Sequence, residues 1–106
     1  DGTVNINGGT FFGKNQGINN AKTGTLNIKN AAILSDYNAL FNNGTGNINI
    51  CSGSVKSSNY DIGIGSNSTG KIRYSKNVKF INDNNLPVIS GNSSVVISNY
   101  TGTCGN

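Results

Sequence analysis

The 106-residue chain has seven Lys and one Arg against four Asp, a formal net charge of +4, and only 34% of its residues are hydrophobic. Hydrophobic content this low is typical of disordered chains, but those also carry many charges, and charged residues here are only 11%. The chain contains no His, which excludes Ser-His-Asp and Cys-His catalytic arrangements, and no run approaches the roughly 18 apolar residues of a membrane span.

One five-residue phrase recurs along the chain and predicts its architecture. The copies are Gly2–Ile6, Gly24–Ile28, Gly46–Ile50, Gly70–Tyr74 and the degraded Ser93–Ile97. The first apolar residue of each copy recurs after 22, 22, 24 and 23 residues, and a period in this range indicates a repeat fold. Apolar and polar residues alternate within each copy, as in a strand with one buried face. A stack of such coils needs only a thin apolar row per coil, which suits the composition.

The first coil supplies the pattern for the others. Glycines at positions 8 and 9 form its first corner, because Gly adopts positive φ without steric cost. Three short strands are predicted per coil, and in coil 1 their inward residues are Val4 and Ile6, then Phe11 or Phe12, then Ile18.

The later coils repeat this spacing. A 12-residue step separates Ile6 from Ile18, Ile28 from Leu40, and Ile50 from Ile62. This constancy favours three strands per coil over a ladder of hairpins. The prediction is an all-β, single-stranded, right-handed parallel β-helix (β-solenoid) of about 4.5 coils, the hand following from the crossover rule. The predicted coils are 2–23, 24–45, 46–69 and 70–93, followed by a partial coil 94–106.

Coil 4 departs from the strict pattern. Val78 and Phe80 carry the apolar alternation of its second strand, and its extra length is placed at 82–85. The fifth copy restarts the pattern at Val95 and Ile97, and the residues after it do not complete a coil.

Asparagine recurs at matching positions of successive coils. Asn5, Asn27 and Asn49 are predicted to form an outward ladder of side-chain amides, since stacked coils lie about 4.8 Å apart. A second ladder, satisfying carbonyls of the turns, is predicted from residues Asn43, Asn67 and Asn92. A structural use of these amides is favoured over ligand binding.

Two stretches of the repeat resemble those of a known family. The stretch 2–10, GTVNINGGT, and the stretch 43–50, NGTGNINI, look like right-handed parallel β-helix repeats in large surface proteins of Gram-positive bacteria. Those repeats belong to the pectin-lyase-like superfamily in the broad sense. The resemblance implies the solenoid fold and an extracellular or cell-surface location. Adhesins, polysaccharide-binding modules, phage spikes and lyases share this architecture, so the resemblance leaves the function open among them, with a cell-surface or extracellular polysaccharide as one candidate partner. The catalytic motifs of that superfamily find no matching positions in this chain.

Charged residues give little sign of catalysis. Asp36 and Asp61 are predicted to lie in adjacent coils, where a pair of acids could support glycosidase chemistry, but basic neighbours are sparse. No catalytic residue, metal ligand or cofactor is therefore predicted. The cations are densest at 71–79, which we interpret as a solvated face rather than a site for nucleic acid or an acidic glycan. No nucleic-acid partner is expected.

Two tyrosines form the candidate ligand site. Asp36-Tyr37 and Tyr60-Asp61 both fall in the turn between the second and third strands of their coils. Two exposed rings on adjacent coils would make a flat platform for a sugar. The carboxylates of Asp36 and Asp61 would accept hydrogen bonds from the sugar hydroxyls. The alternative is that both rings cover the strand ends, an amphipathic use of Tyr.

The two cysteines lie 53 residues apart, about two coils. In strict register their separation, roughly 10 Å at the ordinary strand spacing, exceeds the disulfide limit of about 7 Å between Cα atoms. An intramolecular bond between Cys51 and Cys104 thus requires the tail to fold back. Free thiols and an intermolecular disulfide are the alternatives, and the intermolecular bond suits a tail that crosses into a neighbouring subunit.

These observations support one main function and two alternatives. The main hypothesis is a non-catalytic extracellular module, either a rigid structural stalk or an adhesive, glycan-binding segment. The first alternative is a subunit of a filament stacked head to tail, because terminal coils leave apolar rows and strand edges uncovered. The second is a fragment of a polysaccharide-active enzyme. A chain that begins at Asp1 without Met is also expected to be a processed or excised piece.

Overall fold

The computed structural model describes residues 2–104, so Asp1 and the last two residues of the predicted partial coil lie outside the description. The fold is an all-β solenoid of about four turns with three strands per coil, as the sequence predicts. The strands are β1 Thr3–Ile6, β2 Gly9–Gly13, β3 Gln16–Asn20, β4 Thr25–Ile28, β5 Ala31–Ser35, β6 Asn38–Asn42, β7 Asn47–Ile50, β8 Gly53–Ser57, β9 Tyr60–Ile64, β10 Ile72–Tyr74, β11 Val78–Phe80, β12 Ile89–Ser90 and β13 Val96–Ile97.

Each strand pairs in parallel with the equivalent strand of the next coil. One sheet has the order β1-β4-β7-β10-β13, the second β2-β5-β8-β11 and the third β3-β6-β9-β12. Val4 pairs with Leu26, Leu26 with Ile48 and Ile48 with Ile72, which confirms the 22- to 24-residue period. Each coil is thus a three-sided turn whose backbone hydrogen bonds run along the solenoid axis.

The core is a set of apolar columns running along that axis. Ile28 and Ile50 are fully buried and stack on Ile6, as predicted. The sequence left open whether Phe11 or Phe12 faces the core. Phe11 packs against the core, whereas Phe12 is 65% exposed. Two further inward columns are Phe11, Ile33, Val55 and Phe80 in the second sheet and Ile18, Leu40, Ile62 and Ile89 in the third.

The outward asparagine ladder is present. The Nδ2 atom of Asn27 donates to Oδ1 of Asn5 at 3.0 Å, and that of Asn49 donates to Oδ1 of Asn27 at 3.0 Å. Arg73 extends the ladder by donating from its guanidinium to Oδ1 of Asn49 at 3.3 Å. Each amide therefore satisfies the next across a coil boundary, which is the role predicted for these residues.

The turn ladder uses different residues from those predicted. Asn20 and Asn42, not Asn43, donate their Nδ2 atoms to the carbonyls of Gly24 and Gly46, each at 2.9 Å. The side chain of Asn42 is buried, whereas Asn43 is exposed. The prediction for this ladder was wrong by one position, because the last residue of the third strand turns its side chain into the corner.

Asn67 and Asn92 also differ from the predicted ladder. Asn67 is exposed in its turn, and Asn92 caps a short 3-10 helix at Ser93–Val95, where its Oδ1 accepts from the backbone N–H of Ser94 at 3.1 Å. A side chain that caps a helix cannot also continue a ladder along the axis.

The glycines that open the third and fourth copies of the phrase are fixed by crowding. A Cβ at Gly46 would lie 2.1 Å from the carbonyl oxygen of Gly24, and one at Gly70 would lie 1.7 Å from that of Gly46. Both values are far shorter than a van der Waals contact. Coils stack this closely at these two corners only because the residue has no side chain, which explains why the third and fourth copies begin with Gly.

The carboxyl end differs from the predicted fifth copy. The residue that pairs with Ile72 is Val96 instead of Val95, because the 3-10 helix at Ser93–Val95 displaces the chain by one residue. Val95 instead belongs to the buried apolar cluster and is 6% exposed. The predicted start of the fifth copy at Val95 was therefore wrong by one residue. Val88 and Ile97 at this end of the described residues are exposed.

The amino end has no such cover among residues 2–104. Val4 is 56% exposed, and Ile6, Phe11 and Ile18 are only partly buried, while their counterparts in coil 2 are more deeply buried. Within residues 2–104, the first coil is therefore less deeply buried than the coils that follow it.

The buried column at Ile28 offers a direct test of the core. Ile28→Asn should lower the free energy of unfolding by about 4 kcal/mol, since it deletes buried apolar area and leaves a buried amide without a partner. Val88→Asn is the matched control, because Val88 is 46% exposed and the same change should cost about 0.5 kcal/mol or less. Urea denaturation of both variants measures the difference, and equal midpoints would contradict the inward placement of Ile28.

Candidate functional site

The predicted tyrosine platform lies where β5 and β8 turn into β6 and β9. Tyr37 sits in the turn before β6, and Tyr60 is the first residue of β9, with its backbone N–H donating to the carbonyl of Tyr37 at 2.8 Å. The two rings therefore come from adjacent coils, as predicted. Their centroids are 5.7 Å apart, but their planes meet at 84°.

This edge-to-face geometry changes what the pair can do. The edge of one ring faces the electron-rich face of the other, an arrangement that aromatic pairs favour. A flat platform requires coplanar rings, so the prediction of one stacking surface across both was wrong. Tyr37 is 48% exposed and Tyr60 is partly buried, so Tyr37 has more ring surface open to a ligand.

Asp61 was predicted to accept hydrogen bonds from the hydroxyls of a ligand, but it has a structural role. It is 3% exposed, and its Oδ2 accepts from the backbone N–H of Val88 at 2.9 Å and from Nδ2 of Asn82 at 3.2 Å. Asn82 also donates to the carbonyl of Leu86 at 2.8 Å. The carboxylate thus fastens the long, exposed turn of coil 4 over the third sheet, and no direct contact with a ligand is open to it.

Burial also affects the titration of this carboxyl. Removal from water raises the pKa of Asp61, and the hydrogen bonds from Val88 and Asn82 lower it by less. Asp36, by contrast, is exposed in the preceding coil. One of the two acids lies beneath a loop and the other is in solvent, so the structure does not bring the predicted pair together as two open carboxylates.

An outward groove lies beside Asp36 that the sequence analysis did not identify. It has a volume of about 240 Å³. Phe12, Leu34 and Lys56 occupy equivalent outward positions on β2, β5 and β8, so they form one column across three coils. The lining residues are Phe12, Leu34, Ser35, Asp36, Lys56, Ser57 and Ser58.

The groove combines an apolar floor with a polar rim. The ring of Phe12 is 65% exposed and adjoins Leu34, while a carboxylate, an ammonium group and serine hydroxyls surround them. Ser57 already donates to the carbonyl of Tyr37 at 2.8 Å, which ties the rim to the tyrosine turn. The available signal was the second Phe of the Phe11-Phe12 pair, since only one of two consecutive strand residues faces the core.

The two cysteines form a disulfide within the chain. Cys51 and Cys104 are bonded, with their Cα atoms 6.0 Å apart. After β13 the tail reverses, the N–H of Tyr100 donates to the carbonyl of Tyr74 at 2.9 Å, and Cys104 is buried at the corner beside Cys51. The expectation of an intermolecular bond was wrong, because the tail leaves the solenoid register and travels back along the axis.

A second cavity, of about 300 Å³, lies between this tail and the corner of coil 4.

Within residues 2–104, no cluster of three or more His, Cys, Asp or Glu side chains is placed to bind a metal ion. In that same part of the chain, no helix has the length and apolar character needed to cross a membrane.

Comparison with known protein families, characterised proteins and solved structures gives no match to this chain. The β-solenoid architecture therefore stands on the structure itself, while the pectin-lyase-like resemblance stands on the sequence phrases alone.

The buried carboxyl of Asp61 predicts a pH dependence of stability. Its pKa is raised in the folded state, so the folded protein holds this proton more tightly than the unfolded chain does. The contribution of Asp61 to stability is therefore lowest above its folded pKa, and it grows as the pH falls through that pKa toward the unfolded value. Asp61→Asn should remove this component. The free energy of unfolding of the parent, relative to Asp61→Asn, should increase from pH 7 to pH 4.

Asp36→Asn is the matched control, because the same chemical change is made at an exposed carboxyl. Its side chain lies outside the hydrogen bonds that Val88 and Asn82 donate to Asp61, so this variant controls for the chemical change itself. A parent that lost stability relative to Asp61→Asn on acidification would contradict burial as the dominant influence on this carboxyl.

Proposed function

We propose that this chain is a non-catalytic structural module of an extracellular or cell-surface protein, a short β-solenoid that serves as a rigid stalk or adhesive segment. The observation that carries the proposal is the Cys51–Cys104 disulfide, which fastens the tail to coil 3 across the stack. Disulfides persist in oxidising environments outside the reducing cytosol. A covalent fastener of this kind suits a module that must keep its shape outside the cell.

The use of the polar side chains supports the structural part of the proposal. Asn27 and Asn49 join coils through their amides, and Asp61 holds down a loop. In a polysaccharide-cleaving enzyme we would expect at least a pair of acids open to one ligand, and Asp61 is instead engaged in the fold. The phrases that resemble Gram-positive surface repeats agree with the same location.

The proposed location is tested on the native protein in its source cells. A membrane-impermeant amine reagent should label its lysines on intact cells, because most of these side chains are exposed. Alkylation before reduction should leave Cys51 and Cys104 unmodified, and alkylation after reduction should modify both. A resident cytosolic protein is the control. Lysines labelled only after lysis, together with thiols that alkylate without reductant, would contradict the proposal.

The outward groove favours glycan contact as the adhesive activity of this module. Pyranose rings present C–H groups on one face and hydroxyls at the rim, which matches an exposed Phe12 ring beside Asp36 and serine hydroxyls. Tyr37, joined to the rim through Ser57, adds a second exposed aromatic surface. This version of the site keeps Asp36 and Tyr37 from the sequence prediction and replaces Asp61 with the groove.

Glycan-array screening followed by titration of the bound sugars tests this activity. Phe12→Ala should weaken binding by about 1 kcal/mol or more, the usual value for an aromatic contact, and should leave the melting temperature nearly unchanged. Leu86→Ala is the control, because Leu86 is similarly exposed, at 60%, in the loop of coil 4. An array without a bound glycan, or equal affinities for the two variants, would contradict a sugar site in the groove.

A further inference from the structure

We propose that the cavity between the tail and the corner of coil 4 is a second ligand site, which binds a small organic carboxylate whose body is a ring. The tail is the segment 98–104. This inference is independent of the proposed glycan contact, because that contact concerns the groove beside Asp36 on the outward face of the second sheet.

The first argument is the way in which the tail is held. Residues 97–99 and 101–103 are exposed, so the tail buries only Cys104 and part of Tyr100. Among the described residues, the buried apolar cluster includes Val95 but no residue of the tail. Burial of apolar surface therefore does not account for a tail that a disulfide fastens to coil 3. What the fastening does produce is one wall of the cavity.

The second argument is the composition of the cavity. Its volume of about 300 Å³ lies at the lower end of the range for small-molecule sites in proteins. Its polar lining comes from Lys76, Asn77, Asn99 and Thr101, while Tyr100 and the disulfide-bonded Cys51 also line it. A concave space in which a few polar groups converge beside an aromatic residue is the usual form of a ligand site.

The third argument is charge, which identifies the ligand as an anion. Among residues 2–104, the cavity is lined by one cation, Lys76, and by no carboxylate. A carboxylate beside this ammonium group forms a charge-assisted hydrogen bond, which is stronger than a bond between neutral groups. The amides of Asn77 and Asn99 are further donors for its oxygens. Tyr100 supplies the aromatic contact for the ring of the ligand.

The coil side of the cavity is fixed before any ligand arrives. Ser75 is 7% exposed, and its Oγ donates to the carbonyl of Cys51 at 2.7 Å. The same Oγ accepts from the backbone N–H of Asn77 at 2.9 Å. These two bonds hold the backbone of the turn that carries Lys76.

The tail side is fixed in a comparable way. The backbone N–H of Tyr100 donates to the carbonyl of Tyr74 at 2.9 Å, and its hydroxyl donates to the carbonyl of Thr103 at 3.3 Å. The disulfide holds the next turn of the tail against Cys51. A ligand that enters a site with both walls in place loses little further conformational entropy of the protein, which favours binding.

Benzoate and benzamide are matched probes for this site, since they share the ring and differ in charge. In an NMR titration of the full chain, benzoate should shift the amide signals of residues 75–77 and 99–102. Calorimetric titration should show benzoate binding roughly fivefold more tightly than benzamide, because only the carboxylate forms a charge-assisted bond with Lys76. Acetate, which lacks the ring, should also bind roughly fivefold more weakly than benzoate. Benzoate that leaves these signals unmoved, or that binds no more tightly than benzamide or acetate, would overturn the proposal.

Removal of the disulfide tests the contribution of the tail. The double variant Cys51→Ser, Cys104→Ser should weaken benzoate binding roughly tenfold or more, since the tail wall is no longer held in place. Its far-UV circular dichroism should match that of the parent, because the buried apolar cluster contains neither cysteine within the described residues. A folded double variant with the benzoate affinity of the parent would overturn the assignment of the tail as a wall.

Two lysine variants test the anion contact, and neither change disturbs the fold because both residues are exposed. Lys76→Gln should weaken benzoate binding roughly fivefold and leave benzamide binding unchanged. Lys22→Gln removes the same charge outside the cavity lining and should change neither affinity. Equal effects of the two substitutions on benzoate would overturn the placement of the carboxylate at Lys76.

Discussion

Stacking of coils in register is the constraint on which the other features of this structure depend. Ile28 contributes its apolar area to the core only when Ile6 lies above it and Ile50 below, because a single three-sided coil cannot enclose a core. The period must therefore be kept closely, and a change of one residue would turn the alternating side chains to the wrong face. This is why the added lengths of coils 3 and 4 can be accommodated only in turns.

Register also explains a composition that is otherwise unusual for a folded domain. A side chain in a solenoid faces the equivalent side chain of the next coil at about 4.8 Å, a distance at which amides can form a continuous ladder. Asn27 uses this geometry by donating to Asn5 and accepting from Asn49. Glycine is required where coils approach most closely, as at Gly46. Abundant Asn and Gly thus stabilise the coil stack through polar contacts and close backbone approach.

The sequence predicted what is periodic and failed where the chain leaves its period. The sheets, the inward column through Ile28 and the ladder at Asn49 follow from spacing alone, because each coil repeats the same local environment. The disulfide could not be predicted, since Cys104 reaches Cys51 only when the tail reverses direction. The spacing of residues does not determine ring orientations, so the edge-to-face contact between Tyr37 and Tyr60 could not be predicted.

The candidate site was predictable in the same partial way. Asp36 and Tyr37 were located because a turn between strands exposes its side chains. The burial of Asp61 was missed, because it depends on the loop of coil 4, which has no counterpart in the other coils. The groove at Phe12 was missed for a different reason: two consecutive Phe residues left open which of them faced the core.

A regular repeat contains nothing that ends it, so a solenoid stops only where the sequence departs from its period. Every coil offers the same edge that it accepts, so closing the stack requires residues that break the pattern. The carboxyl end supplies them through Val95, the two-residue strand β13 and the tail bonded to Cys51. Coils 1 to 3, by contrast, keep the three-strand repeat and its register from β1 through β9. The departures from periodicity within residues 2–104 therefore concentrate in coil 4 and in the residues that follow it.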